Sequence, residues 1–272
     1  MSRTALSTTR VGIVDFLNSR PLAWGFLQGH HADRFAASYH PPAEVARRLA
    51  AGSLDVGLVP SIEVERIGGL EVVPGFCVAA THEVRSVLLV AGRPLAEVRR
   101  IALDANSRTS AALTRILAAE RWRIEPEYVE AAPEVEAMLA GADAALVIGD
   151  PALQVDRERW AVVDLAAEWK ALTGLPFVFA VWAARPSAAA AAPDLAAVFA
   201  ASLRFGLAHL DDIVAEASRT LALPPETVRT YLTENLRYEL GAAERAGLDE
   251  FWRRAREHGL VEAPAPAAAA AP

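Results

Sequence analysis

The sequence contains one cysteine and one lysine among 272 residues, and each scarcity excludes a class of chemistry. A single Cys77 cannot form an internal disulfide or contribute to a multi-cysteine zinc site. Because Cys77 lies in the apolar run 76–80, we expect a small buried side chain and not a nucleophile. Lys170 is the only lysine that could form a Schiff base, so chemistry of that type is nearly excluded.

Long apolar runs and clustered positive charge are also missing. No run reaches the roughly 18 uncharged apolar residues needed to cross a membrane, and residues 1–10 lack the apolar stretch of a signal peptide. The formal net charge of −7 argues against a nucleic-acid-binding surface. The six histidines show no ligand spacing, so we expect no metal site. These absences predict a cytoplasmic protein without a membrane or nucleic-acid partner.

What the sequence does have is a large apolar fraction, 53%, much of it in short strand-like runs that alternate with helical patterns. The length fits two small domains or one large one. The alternation predicts an α/β fold with parallel strands, and residues from 194 onward are mostly amphipathic helix. Predicted strands cover residues 11–14, 54–59, 72–74, 76–80, 86–90, 100–104, 126–129, 144–148, 160–165 and 177–182.

The strand pattern starts again after Gly92, which predicts two lobes with a ligand cleft between them. In this prediction residues 1–92 and 183–262 form the first lobe, and residues 93–182 form the second. The apolar run 177–184 carries the chain back to the first lobe. Residues 263–272 are a Pro/Ala segment of low complexity, which we expect to be disordered.

Loops that follow strands hold the first candidate ligand-binding residues, because ligands in open α/β sheets bind at the carboxyl ends of strands. Asn18 and Ser19 lie in the first such loop, where the amide offers both a donor and an acceptor. The alternative is that both are turn and helix-cap residues. Ser86 begins an apolar strand and could face the same cleft.

The loop 104–110 gathers three hydroxyl residues, Ser107, Thr109 and Ser110, at the start of a predicted helix. A helix N-terminus offers free N–H groups and the positive end of the helix dipole, which predicts a carboxylate or phosphate site. Capping, the alternative, needs only one of these hydroxyls. Asp150 ends a buried strand and is expected to cap the next helix with a lowered pKa, the alternative being a catalytic role.

Six segments, taken in order, resemble the chorismate dehydratase family of menaquinone biosynthesis. The opening segment Phe16-Leu17-Asn18-Ser19-Arg20-Pro21-Leu22 is similar to the family motif Y/F-L-N-x-x-P-L, with Phe16 where tyrosine is common. The other segments are 54–61, 84–89, 103–110, 148–153 and 169–180, so the resemblance covers most of residues 10–260.

The resemblance implies a two-lobed fold like that of type II periplasmic binding proteins, used here as an enzyme. It also implies the reaction, in which chorismate loses water to give 3-[(1-carboxyvinyl)oxy]benzoate in the futalosine route to menaquinone. Because this elimination makes the ring aromatic, no metal or redox cofactor is expected. Asn18 would orient the substrate, and the C3 proton would go to Asp150 or, as we favour, to the substrate's own enolpyruvyl carboxylate. The predicted substrate-binding residues are Ser19, Ser86, Ser107, Thr109 and Ser110.

Two other functions share such a fold. The sister enzyme of the pathway, 1,4-dihydroxy-6-naphthoate synthase, opens with a different motif, and Asn18 together with the segment 173–176 favours the dehydratase. A non-catalytic solute-binding protein is the second alternative, and the absence of an export signal argues against it.

Overall fold

Two separate β-sheets organise the protein. The computed structural model describes residues 8–28 and 35–261, and in these ranges the strands form one sheet of six and one of five. The α/β fold with two sheets, which the sequence predicts, is confirmed. The predicted disordered segment 263–272 lies outside the described residues.

The first sheet takes its strands from both ends of the chain. They are β1 (Thr9–Val14), β2 (Phe35–His40), β3 (Val56–Pro60), β4 (Glu71–Ala80), β10 (Phe177–Ala184) and β11 (Arg237–Glu239), in the spatial order β11-β4-β10-β3-β1-β2. β1 is parallel to β2 and β3, whereas β10 is antiparallel to β3 and β4. The sheet is therefore mixed, whereas the alternation of strands and helices indicated a parallel sheet.

The second sheet occupies the middle of the chain. Its strands are β5 (Val87–Ala91), β6 (Arg100–Asp104), β7 (Glu127–Ala131), β8 (Ala144–Ile148) and β9 (Ala161–Asp164), in the spatial order β7-β6-β8-β5-β9. β6 is parallel to β7 and β8, and β5 is antiparallel to β8 and β9. β5 and β8 are buried along their whole length, as their uninterrupted apolar runs require.

The chain crosses between the sheets at other residues than the predicted boundaries at 92/93 and 182/183. β5 lies in the second sheet, so the first crossing falls between Ala80 and Val87. β10 lies in the first sheet, so the return falls before Phe177. The restart of the strand pattern after Gly92 follows a strand already inside the second sheet, which is why it misplaces the boundary.

The helices cover the sheets and form most of the C-terminal part of the chain. They are α1 (Arg20–Gln28), α2 (Pro42–Ala50), α3 (Ile62–Ile67), α4 (Thr109–Leu117), α5 (Val135–Gly141), α6 (Asp150–Leu153), α7 (Leu165–Thr173), α8 (Pro186–Ala191), α9 (Leu195–Ala208), α10 (Leu210–Leu221), α11 (Pro225–Thr230) and α12 (Ala242–Glu257). A 3-10 turn, Leu17–Ser19, precedes α1, and a π-helical turn, Tyr231–Asn235, follows α11. None of the helices within the described ranges combines the length and apolar character that a membrane crossing requires.

The C-terminal helices pack closely on the first sheet and its connections. α9 lies against α1, where a Cβ on Gly206 would come within 2.1 Å of the Pro21 carbonyl oxygen. α12 approaches the return crossing equally closely at Gly247, and the Trp252 indole N–H donates to the Ser61 carbonyl at 2.9 Å. α9 is therefore packed tightly against α1, and α12 against the return crossing.

Candidate active site

A cleft lies between the two sheets, at the ends of strands from both. It encloses about 550 Å³ of empty space, part of it open to solvent, which is in the range of small-molecule sites. Its apolar walls are formed by Val14, Phe16, Pro42, Leu58, Pro60, Val78, Val84, Val87, Ile148, Phe179 and Ala180. Its polar lining consists of Asn18, Ser86, Asn106, Ser107, Arg108, Thr109 and Ser110, together with Gly149. The cleft suits a small molecule with an apolar ring and polar substituents.

Five of the seven site residues predicted from the sequence line this cleft. They are Asn18, Ser86, Ser107, Thr109 and Ser110. The structure brings them together from the first loop, the first crossing and the loop before α4, which are far apart in sequence. The remaining two, Ser19 and Asp150, are not part of the lining.

Ser19 is a turn residue and not a ligand-binding group. Its side chain is fully buried, and its hydroxyl lies 2.5 Å from the Val14 carbonyl and 2.8 Å from the Phe16 carbonyl, to which it donates. A hydroxyl whose proton is committed inside the loop cannot donate to a molecule in the cleft. The predicted substrate contact of Ser19 is therefore replaced by the alternative, a role in shaping the loop that presents Asn18.

Asp150 supports the same loop from behind. It is the first residue of α6, and its Oδ1 accepts a hydrogen bond from the Leu17 backbone N–H at 2.9 Å. Burial raises the pKa of this carboxyl to about 6, and the Leu17 hydrogen bond and the charge of Arg20 oppose that shift. The prediction of a lowered pKa is wrong because Asp150 caps no N–H of its own helix and is largely removed from water.

Gly149 sets the distance between the first loop and the second sheet. Its φ is +66°, and a Cβ at this position would lie 2.5 Å from the Phe16 ring. Its backbone N–H donates to the Ser86 carbonyl at 2.8 Å. A residue with a side chain would be strained here and would push Phe16 out of the cleft wall.

The N-terminus of α4 faces the cleft without a side-chain cap. Ser107, Thr109 and Ser110 are all buried here, and the Ser107 hydroxyl has no hydrogen-bond partner among the described residues. Arg108 stands exposed at the helix start, and within the described part of the chain its guanidinium has no ion-pair partner. Free helix N–H groups, a buried hydroxyl without a partner and an unpaired cation are groups that can hold an anion.

Thr109 connects this helix end to the first lobe. Its Oγ1 accepts a hydrogen bond from the Ile62 backbone N–H at 3.2 Å and lies 3.5 Å from Ser61 Oγ. The Ser61 hydroxyl itself donates to the Val178 carbonyl at 2.8 Å. Because the Ser61 proton goes to Val178, the hydrogen bond between the two hydroxyls is donated by Thr109, so the Thr109 hydroxyl both accepts from and donates to the first lobe.

Ser86 is held by a residue that the sequence did not indicate. The Tyr231 hydroxyl donates to Ser86 Oγ at 2.7 Å. Tyr231 begins the π-helical turn after α11 and is 1% exposed. Burial raises the pKa of its phenol well above the ordinary value, so the group stays protonated.

Sequence reasoning missed Tyr231 and Arg108 for different reasons. Tyr231 lies 145 residues from its partner Ser86, inside a helical pattern that gives no sign of a contact across the molecule. Arg108 belongs to the loop that was predicted to bind an anion, and a cation beside three hydroxyls was the signal that could have identified it. Across the residues that the structure describes, there is no group of three or more His, Cys, Asp or Glu side chains that could hold a metal ion.

Comparison of the sequence with known proteins identifies a matching family and a relative in it. A family model described as menaquinone biosynthesis matches residues 9–257. A chorismate dehydratase from Thermus thermophilus is 32% identical over 277 residues, which cover 93% of this chain and 96% of that protein.

Similar solved structures confirm the fold. Protein AF1704 from Archaeoglobus fulgidus has a TM-score of 0.77 at 16% identity and covers 93% of this chain and 98% of its own. The periplasmic aliphatic sulphonate binding protein SsuA from Escherichia coli has a TM-score of 0.65 at 19% identity, with 94% of each chain covered. At these identities the likeness concerns the fold alone, and it confirms the two-lobed architecture of periplasmic binding proteins.

Proposed function

The chain belongs to the menaquinone biosynthesis family, and from this membership we propose that it is a chorismate dehydratase. The reaction removes the C3 proton and the C4 hydroxyl of chorismate and gives 3-[(1-carboxyvinyl)oxy]benzoate and water. In this proposal the enzyme is a hydro-lyase that cleaves a carbon–oxygen bond. The family match and the Thermus thermophilus relative support it over the sister enzyme of the pathway.

The observation that carries the proposal is the open N-terminus of α4 at one side of an apolar cleft. Chorismate has a carboxylate on its ring and a second one on the enolpyruvyl group. One carboxylate would accept from the helix N–H groups and from the hydroxyls of Ser107, Thr109 and Ser110, with Arg108 supplying positive charge. The ring would lie between apolar walls that include Phe16 and Phe179.

In this proposal Asn18 orients the reacting part of the substrate. It lines the cleft at the end of the first strand, and Ser86 lines it from the first crossing. A neutral amide is a poor base, so Asn18 would hold the C4 hydroxyl or the enolpyruvyl group in position without accepting the proton. Ser86 would donate to a carboxylate of the substrate.

The enolpyruvyl carboxylate of the substrate would take the C3 proton. The electron pair of the C3–H bond then becomes part of the aromatic ring while the C4 hydroxyl leaves, and the leaving oxygen takes up a proton to form water. Asp150, the other candidate base, has a carboxyl with a pKa of about 6, which suits proton transfer better than the sequence suggested. Its position outside the cleft lining supports a role in holding the Asn18 loop instead.

Incubation of the purified protein with chorismate, followed by chromatography, tests this function. We expect loss of chorismate and formation of 3-[(1-carboxyvinyl)oxy]benzoate, without the pyruvate that the competing elimination would release. Binding of chorismate without turnover would support a solute-binding protein instead. Failure to bind or convert chorismate would contradict the proposal and favour the sister enzyme. The cytoplasmic localisation expected from the sequence stays a prediction.

A further inference from the structure

The helix whose N-terminus faces the cleft, α4, is bonded to the first lobe at both of its ends. It follows β6 of the second sheet and continues into a π-helical turn, Ala118–Trp122. At the start of α4, Thr109 Oγ1 accepts from the Ile62 backbone N–H at 3.2 Å. Ile62 is the first residue of α3, so the N-terminus of α4 is joined to the segment that follows β3 of the first sheet.

The far end of α4 is bonded to the first lobe through Glu120. Its Oε1 lies 2.9 Å from His258 Nε2, and its Oε2 pairs with the Arg254 guanidinium. Arg254 lies in α12, and His258 follows this helix directly. The Glu120 and Arg254 side chains are only 27% and 16% exposed, so water screens this pair less than it screens an exposed one. We call Glu120, Arg254 and His258 together the Glu120 clasp.

The helix that supplies the cations of the clasp, α12, is itself bonded to the first lobe. The Trp252 indole N–H donates to the Ser61 carbonyl at 2.9 Å, and Arg256 Nε donates to Glu65 Oε2 in α3 at 2.7 Å. Ser61 lies next to the residue that binds the start of α4. Both ends of α4 are therefore bound to one connected frame, which consists of α3, α12 and the end of β3.

We propose that Glu120 is a positioning residue, which through Arg254 and His258 fixes where the N-terminus of α4 lies in the cleft wall. Residues 109–120 span about 17 Å at about 1.5 Å per residue, and the hydrogen bonds along a helix make it stiff. A shift at Glu120 is therefore passed to the N–H groups and hydroxyls at the cleft. Hydrogen bonds to an anion weaken when distance and angle change, so the shift should weaken binding there.

A second glutamate bound to the same turn provides a matched control. Glu168 in α7 accepts from Trp122 Nε1 at 2.7 Å and pairs with Arg121 Nε at 3.2 Å. Like Glu120 it has two partners, and its side chain is 23% exposed. These contacts stay within the second lobe, because α7 follows β9 of the second sheet. Glu168→Ala and Glu120→Ala thus remove similar contacts of this turn, but only Glu120→Ala removes a link between the lobes.

The first experiment needs no substrate and uses the Ile62 amide, whose exchange with deuterium reports whether the start of α4 stays joined to the first lobe. NMR of the ¹⁵N-labelled protein measures this exchange. We expect Glu120→Ala to raise the exchange rate about fivefold or more, and Glu168→Ala to change it less than about twofold. An unchanged rate in Glu120→Ala, or equal increases in both variants, would overturn the positioning role.

The second experiment measures chorismate turnover, and for this readout the inference rests on the proposed function. Glu120→Ala should raise KM about 10-fold and change kcat less than about twofold, because it displaces a binding group and not the reacting centre. Glu168→Ala should leave both constants unchanged. When Ser110→Ala is already present, Glu120→Ala should raise KM less than about threefold, since it acts through the start of α4.

Full additivity of Glu120→Ala with Ser110→Ala would overturn the positioning role, since an effect that does not pass through the start of α4 is independent of Ser110. Circular dichroism confirms beforehand that each variant is folded. If the wild-type protein does not convert chorismate at all, the proposed function fails, while the exchange of the Ile62 amide still decides the role of Glu120.

Discussion

The helices α4 and α7 each follow a strand of the second sheet, and their N-termini differ in whether a side chain of the protein caps them. At α7, Asp164 accepts from Ala166 N at 3.0 Å and from Ala167 N at 3.3 Å, and so caps the helix with a carboxylate of the chain itself. The same carboxylate accepts from the backbone N–H groups of Val84 and Arg85 in the first crossing. At α4, no side chain in the described structure caps the helix, and the N-terminus faces the cleft.

The difference shows how one local structure serves two purposes. A helix N-terminus attracts a carboxylate in either case, because its first N–H groups lack partners in the helix. At α7 the protein supplies that carboxylate and uses it to fix the first crossing. At α4 the protein leaves the place open, and in the proposed function a carboxylate of chorismate occupies it. The Asp164 carboxylate at α7 is thus a model, within the same molecule, for a substrate carboxylate bound at the N-terminus of α4.

The largest effect is expected from removing the internal carboxylate at α7. Asp164→Ala leaves four backbone N–H groups without their acceptor in a largely buried place, which should lower the free energy of unfolding by about 3 kcal/mol. Urea denaturation measures this. Glu134 caps α5 from an exposed position through two N–H groups, so Glu134→Ala is the control and should cost about 1 kcal/mol. Equal losses of unfolding free energy in the two variants would show that the hydrogen bonds from Val84 and Arg85 to Asp164 add no stability.

The next largest effect is expected at the first loop, where a substitution should change the rate of the reaction more than it changes binding at α4. Asn18→Ala should lower kcat about 100-fold or more, a size typical of losing a positioned polar group at the reacting centre. Product affinity, measured by calorimetry, should change much less than kcat. Asp150→Asn keeps the shape and the acceptor for Leu17 N–H and should be milder. An inactive Asp150→Asn beside a nearly normal Asn18→Ala would reverse the two roles and make Asp150 the base.

Each hydroxyl at the open N-terminus of α4 should contribute to ligand binding the free energy of about one hydrogen bond to a charged group. Ser110→Ala and Thr109→Val should weaken binding of chorismate or its product about 10- to 150-fold, which corresponds to about 1.5 to 3 kcal/mol. Ser110→Ala should leave the unfolding free energy nearly unchanged, in contrast to Asp164→Ala. Unchanged affinity in both variants would mean that these hydroxyls only shape the helix start.

The smallest effect concerns Asp150, a third carboxyl at a helix start. Its pKa of about 6 in the folded protein lies above the ordinary value of 3.8, so the folded state binds the proton more tightly than the unfolded state. The stability that this proton contributes is complete below about pH 4 and is lost as the pH rises through 6. As the pH rises from 4 to 7, the unfolding free energy of Asp150→Asn should therefore increase relative to that of the wild type by up to about 2 kcal/mol. Urea denaturation across this range, with parallel curves as the contradicting result, tests the assignment.

The sequence predicted the interior of this molecule better than its edges and its contacts. The strand 144–148 was predicted at its observed bounds, because it is an uninterrupted apolar run flanked by polar residues and glycine. β2 and β11 were missed because both are edge strands: most side chains of β2 are only partly buried, and β11 has too few residues to form a pattern.

For the candidate site, too, features set by local sequence could be predicted and contacts between distant segments could not. Hydroxyl residues at the end of a strand mark a helix N-terminus, so Ser107, Thr109 and Ser110 could be placed from their neighbours alone. The raised pKa of Asp150 and the bond between Tyr231 and Ser86 depend on packing between distant segments. Such contacts leave no trace in local residue order, and only the folded arrangement gives them.

The single cysteine gives the protein a built-in reporter of opening. Cys77 lies in β4 of the first sheet, is 0% exposed, and has a thiol whose pKa is raised by burial. Since only the thiolate reacts quickly with alkylating reagents, labelling must wait until this strand is released. The second sheet contains no cysteine, so its opening does not contribute to alkylation. The rate of alkylation therefore measures how often the first sheet opens, separately from the sheet that carries α4.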